Sequence, residues 1–139
     1  MSNPALAFDH VHIISKNPHE TAQWYVDKLD AMIKADSVAR GAPQIFVSLG
    51  GVTLLVRGKR DGEAPAAADD FRDFGTFSSH DRWGVDHIGF VHDGDLGAYC
   101  QELETRGVRF SVPLKEGVGG LKLCFIEAPD GVSIELVQR

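Results

Sequence analysis

The sequence predicts an α+β fold in which one βαβββ unit is used twice, and two observations carry that expectation. The stretch Phe8-Asp9-His10-Val11-His12-Ile13-Ile14 is echoed seventy-seven residues later by Val85-Asp86-His87-Ile88-Gly89-Phe90-Val91. The module ends match as well: Gly51-Val52-Thr53-Leu54-Leu55-Val56 parallels Gly131-Val132-Ser133-Ile134-Glu135-Leu136. At 139 residues the chain has the length of one domain. Residues 1–139 are therefore expected to form a single domain, built from a module at 7–57, a connection at 58–84 and a module at 85–138.

In the first module a strand is expected over 7–15. Asn17 and Pro18 then open a helix, with Glu20 placed to complete a capping box. Ala22, Tyr25, Val26 and Leu29 recur at i, i+3, i+4 and i+7, one apolar stripe. Strands follow over 32–35, 44–49 and 52–57, the last two joined by a Gly50-Gly51 hairpin turn. The second module repeats the order. A strand over 85–92 leads to a helix from Asp95, with Leu96, Tyr99 and Leu103 on one face and Gly107 at its C-terminus. Strands over 108–112, 121–127 and 132–138 complete it, the last two separated by Ala128-Pro129-Asp130-Gly131. A connection as long as 58–84 in a compact domain is often a functional loop.

A net charge of −6 argues against general nucleic-acid binding. No apolar run approaches the roughly 18 residues of a membrane span, and Met1-Ser2-Asn3-Pro4 lacks the features of a secretory signal. Cys100 and Cys124 form no disulfide framework and read as buried small hydrophobes. A cytoplasmic protein without nucleic-acid or membrane partners is expected.

Strand parity sorts the chemistry, because alternate side chains share a face. His10, His12 and Ile14 face one way, Val11 and Ile13 the other. His87 and Gly89 lie opposite Ile88 and Phe90. In the last strand Glu135 is the one charge between apolar neighbours, so it should be exposed, paired or bound to a cation. His10, His87 and Glu135 offer two imidazole nitrogens and one carboxylate, a set that divalent transition metals accept with positions left open. His12 is a candidate second-layer or acid–base group. His80, on the connection, is a candidate to reach over the site; His19 and His92 read as surface residues.

These motifs resemble the vicinal oxygen chelate superfamily, which includes glyoxalase I, methylmalonyl-CoA epimerase, extradiol dioxygenases, and fosfomycin- and bleomycin-resistance proteins. The resemblance rests on Phe-Asp-His-Val at 8–11, Trp24-Tyr25 in the first helix, Val-Asp-His-Ile-Gly-Phe at 85–90 and Ala-Pro-Asp-Gly-Val-Ser-Ile-Glu-Leu at 128–136. It implies paired βαβββ modules in a curved, half-barrel-like mixed sheet around one divalent ion (Fe(II), Mn, Ni or Zn), with His10, His87 and Glu135 as ligands. It also implies a homodimer and a small substrate bound through vicinal oxygens.

Glyoxalase I and the epimerases carry a fourth ligand near the end of the first module, where the internal repeat places Leu55. Leu55 is expected to face the metal cavity, with Thr53 and Arg57 on the same face. The alternative is a one-residue slip that turns Leu54 to the cavity. Phe125 stands where extradiol dioxygenases carry a tyrosine. Leu55, Arg57, His80 and Phe125 are thus candidate substrate contacts. Dioxygenase-like chemistry fits the three-ligand count; glyoxalase- or epimerase-like lyase or isomerase chemistry is the alternative, and a non-catalytic drug- or metabolite-binding protein the further one.

Overall fold

The computed structural model describes residues 5–66 and 83–139. It contains the repeat in full. The chain divides into two compact units, Met1–Pro65 and Ala66–Arg139. Each holds a four-stranded mixed sheet and one α-helix of at least ten residues.

The first unit runs β1 (His10–Ile14), α1 (Pro18–Leu29), β2 (Met32–Ala39), β3 (Ala42–Leu49) and β4 (Val52–Arg57). Its sheet order is β1-β4-β3-β2, with β1 parallel to β4 and the other pairs antiparallel. The second unit runs β5 (Ile88–Val91), α2 (Leu96–Thr105), β6 (Phe110–Glu116), β7 (Lys122–Glu127) and β8 (Ser133–Gln138), in the order β5-β8-β7-β6 with the same directions. Both units thus use the same crossover from a short first strand to a parallel last strand.

Several boundaries differ from expectation, for reasons the pairing makes plain. Strand β1 begins at His10 rather than residue 7 because its ladder with β4 starts at His10 opposite Thr53. Strand β5 likewise begins at Ile88, opposite Ile134, so His87 sits just ahead of the ladder. Strands β2 and β3 are longer than expected because Arg40 and Gly41, both at positive φ (51° and 80°), form a tight turn that the sequence reading passed over. The expected turn at Gly50-Gly51 is present, again with both residues left-handed. Edge strand β2 is exposed, bulges at Lys34 and carries Lys34, Asp36 and Ser37, features that discourage pairing with another edge.

The capping box expected at the start of α1 does not form. The Asn17 side chain caps nothing; its N–H instead donates to Ser15 Oγ at 3.2 Å, and Ser15 Oγ lies 2.8 Å from Thr21 Oγ1. Pro18 does open the helix. In α2, by contrast, Asp95 Oδ1 accepts from the N–H groups of Gly97 and Ala98. That helix closes in a Schellman arrangement: Gly107 at φ 79° donates to Glu104 O and Val108 to Leu103 O.

The helix-covered core of each unit lies on one sheet face, while Leu55 and Val137 on the opposite faces are buried as well. In the first unit Ile13, Ile45, Val47, Leu54 and Val56 are in register on the helix-covered face, buried together with Ala22, Tyr25 and Leu29 of α1. In the second, Cys124, Ile126, Ile134 and Leu136 are buried together with Leu96, Cys100 and Leu103 of α2. Full burial of a leucine such as Leu54 contributes about 1.5–3 kcal/mol. Cys100 and Cys124 are free and buried, their Sγ atoms 3.7 Å apart between α2 and β7. Burial raises both thiol pKa values, that of Cys124 beyond the ordinary range, which suits packed, unreactive side chains. Among the described residues no helix is long and apolar enough to cross a membrane.

Candidate metal centre

The faces opposite the two cores carry the chemistry. In the second unit Phe125, Glu135 and Gly89 are in register across β7, β8 and β5, on the face opposite Ile134 and Leu136. His87 precedes Gly89 by two residues. Its Nδ1 lies 2.7 Å from Asp86 Oδ2, and its Nε2 lies 3.2 Å from Glu135 Oε2. The Phe125 ring stands edge-on to the imidazole, centroids 5.0 Å apart and planes at 82°. Asp86 therefore holds Nδ1 and Phe125 limits the ring's rotation, which leaves Nε2 directed at the Glu135 carboxylate. His87, Asp86 and Glu135 are each about one-quarter or less exposed, so each polar group has a partner in a partly dry setting.

In the first unit the equivalent register places Phe46, Leu55 and His12 across β3, β4 and β1. Leu55 thus stands where Glu135 stands in the second unit, and His12 where Gly89 stands. The ladder settles the parity: Leu54 pairs with Val11 on the core face, while Leu55 pairs with His12. His10 precedes His12 by two residues, as His87 precedes Gly89. Its Nδ1 is 2.5 Å from Asp9 Oδ2, the same carboxylate-on-Nδ1 arrangement. In both copies of the motif, then, the aspartate before the histidine fixes the ring and leaves Nε2 as the available ligand nitrogen. Each aspartate stands directly before its histidine in the sequence, but adjacency alone does not assign it this role.

A polar network that the sequence reading did not foresee lies beside His10. The Arg57 side chain is buried; its Nε donates to His12 Nε2 at 3.3 Å and its Nη1 to Gly58 O at 3.0 Å. Its Nη1 and Nη2 also donate to the two Glu63 carboxylate oxygens, at 2.7 and 3.3 Å, and Glu63 Oε1 accepts the Arg60 N–H at 2.9 Å. Arg57 and the Arg60 amide hold the Glu63 carboxyl down at about 2. Burial lowers the His12 pKa, with Arg57 and His10 adding to the effect. The rings of His10 and His12 are 6.0 Å apart. Glu63 was not singled out from sequence because it sits in an acidic, alanine-rich stretch that reads as solvated loop.

His19 is exposed as expected, 3.1 Å from the Asp36 carboxylate. His92, expected at the surface, is instead half-buried: its ring stacks on Tyr99 at 4.5 Å, and its Nδ1 is buried without a hydrogen-bond partner among the described residues. His80 lies outside the described residues.

Fit to a divalent ion can be judged within each unit. Two ligand atoms about 2.1 Å from one ion at right angles to each other sit roughly 3 Å apart, close to the His87–Glu135 separation of 3.2 Å. Both histidines carry the carboxylate on the second nitrogen that metal-bound imidazoles usually have. Among the described residues, no group of three or more His, Cys, Asp or Glu side chains is drawn together as a metal would draw them.

Comparison with known proteins agrees with this architecture. Residues 7–136 match the model of the Glyoxalase/Bleomycin resistance protein/Dioxygenase superfamily, and the chain belongs to that superfamily. Similar solved structures include SMU.1112c, at 24% identity and a TM-score of 0.71, covering 95% of this chain and 98% of that one. A glyoxalase family protein from Enterococcus faecalis is 22% identical with a TM-score of 0.72, covering 94% and 96%. A mutant of the fosfomycin resistance protein FosX from Listeria monocytogenes, solved with Mn(II) and 1S,2S-dihydroxypropylphosphonic acid, is 16% identical with a TM-score of 0.66, covering 94% and 90%. No curated protein matches the chain.

Proposed function

We propose that the protein is a divalent-metal-dependent enzyme in which His10, His87 and Glu135 hold one ion and a small substrate binds through two adjacent oxygens. The observation that carries this reading is the convergence of His87 Nε2 and Glu135 Oε2 at 3.2 Å, with Asp86 on the far nitrogen of the imidazole. When bound, the ion would act as a Lewis acid toward the substrate oxygens. The residues supply the rest. Asp9 and Asp86 fix the imidazoles, and Phe125 packs against the His87 ring. Leu55 occupies the register position of Glu135 without offering a ligand, so positions remain open for exogenous oxygens. Leu55 and Phe125 would present apolar surface to an aromatic or unsaturated substrate.

This three-ligand set favours dioxygenase-like chemistry over a glyoxalase- or epimerase-like lyase or isomerase reaction, which relatives run with a fourth protein ligand. The metal would be Fe(II), Mn, Ni or Zn. We further propose a homodimer; a monomeric mass by light scattering at micromolar concentration overturns that part.

Elemental analysis of protein purified without chelator, followed by oxygen uptake with catechols after loading with Fe(II) or Mn(II), tests the function. About one ion per chain and metal-dependent oxygen uptake are expected. Stoichiometric metal without oxygen uptake would favour the lyase or isomerase reaction. Protein that neither retains nor takes up a divalent ion would be a binding protein instead.

A further inference from the structure

The first unit keeps a buried guanidinium where its twin needs none. Arg57 and Val137 are equivalent in register, as are His12 and Gly89. The second unit forms the same sheet with an aliphatic side chain and a glycine at these positions, so the fold does not require the polar pair. Burying an arginine is expensive unless its hydrogen bonds are satisfied. Here four of its five N–H groups are bonded: Glu63, the Gly58 carbonyl and the His12 imidazole each accept from it.

The direction of one of these bonds has a chemical consequence. A guanidinium only donates. His12 Nε2 must therefore be the acceptor, which puts the ring proton on Nδ1. No hydrogen bond from that second nitrogen is found among the described residues, and the His12 side chain lies on the same face as His10 and Leu55, its ring 6.0 Å from that of His10.

We infer that Arg57 and Glu63 are positioning residues that lock His12 in its Nδ1–H form, making it a hydrogen-bond donor to an oxygen of the bound substrate rather than a general base. The expected role of Arg57 as a direct substrate contact gives way to this one, because its guanidinium is occupied by Glu63, Gly58 and His12. Glu63 sets the angle of the guanidinium plane, and His12 presents the proton. A substrate oxygen that gains negative charge would be stabilised by such a neutral donor. This role rests on the proposed metal site beside His10, whereas the tautomer does not.

Long-range proton–nitrogen spectra of the protein labelled with 15N-histidine test the tautomer directly. His12 is expected to show a protonated Nδ1 and an unprotonated Nε2 in the metal-free wild type. Arg57→Met should release the ring toward the Nε2–H form that free imidazole side chains favour, and Glu63→Gln should shift it part-way. A wild-type His12 carrying its proton on Nε2 overturns the inference without any variant. Donation to the ligand is tested on Mn(II)-loaded protein with acetohydroxamate, a chelator with vicinal oxygens. His12→Phe and Arg57→Met should each weaken acetohydroxamate binding about tenfold while leaving Mn(II) affinity within about twofold. Unchanged acetohydroxamate affinity in both overturns the donor role. Failure of the wild type to bind Mn(II) would instead remove the metal reading and leave the tautomer result standing.

Discussion

The two units share strand order, strand directions and the register of their three inner pairings, yet their non-core faces differ at three equivalent positions that matter for chemistry. Where the second unit has Glu135, Gly89 and Val137, the first has Leu55, His12 and Arg57. The aspartate–histidine pair and the phenylalanine in register with the central position, Phe46 or Phe125, are common to both. The difference teaches that the repeated architecture supplies positions, not chemistry. The second unit uses its central position for a carboxylate that meets His87, and the first uses neighbouring positions for a buried polar network and leaves that centre apolar.

The largest expected effect comes from moving the carboxylate across this comparison. Leu54→Glu would bury an unpaired charge in the α1-covered core and should cost several kcal/mol, on the order of 3–5, collapsing the melting temperature whether or not metal is present. Leu55→Glu, one residue on and facing the other way, should fold, gain stability on addition of Mn(II) and lose oxygen-dependent turnover. Thermal melts of both variants with and without metal check this; equal collapse of the two would mean that Leu55 belongs to the core.

Asp86→Asn sharpens the comparison from the side of the second unit. It keeps the shape but weakens the hold on His87 Nδ1, and metal affinity should fall about 10–100-fold by calorimetric titration. Asp9→Asn should act in the same direction with a smaller effect, since Asp9 is far more exposed than Asp86.

The smallest effect is expected in acid. Glu63 is held at about 2 against an ordinary value near 4.5. Its contribution to stability is therefore present above the unfolded value and lost as pH falls through that window. Between pH 5 and pH 2 the wild type should lose stability faster than Glu63→Gln, and the two denaturation curves should converge at the acid end. Parallel curves would mean that the Arg57–Glu63 pair is not formed in solution.

Much of this was legible in the sequence because the repeat constrains itself. The motif at His10 and its copy at His87 located both first strands, and period-two alternation assigned Ile13 to the core face and Glu135 to the other. The matching ends placed Leu55 opposite Glu135 in the alignment, and the two ladders show the same equivalence. What escaped was set by pairing or by contacts across the chain. Strand starts depend on where the partner begins, which no local pattern reveals. The Asn17 cap lost to Ser15, whose hydroxyl already takes the Asn17 N–H. The link from Arg57 to His12 and Glu63 spans 45 and 6 residues and has no periodic signature. His92 is withdrawn from solvent by its stack on Tyr99, a contact invisible in a strand-end histidine read alone.

The central proposal is that His10, His87 and Glu135 hold one ion. Titration of Mn(II) into metal-free wild type, His10→Ala and His87→Ala tests it most directly, because each variant removes a ligand from a different unit. The expected result is one ion per chain in the wild type and a loss of affinity of about 100-fold or more in each variant. Wild-type affinity in His10→Ala alongside lost affinity in His87→Ala would contradict it, leaving a site that belongs to the second unit alone.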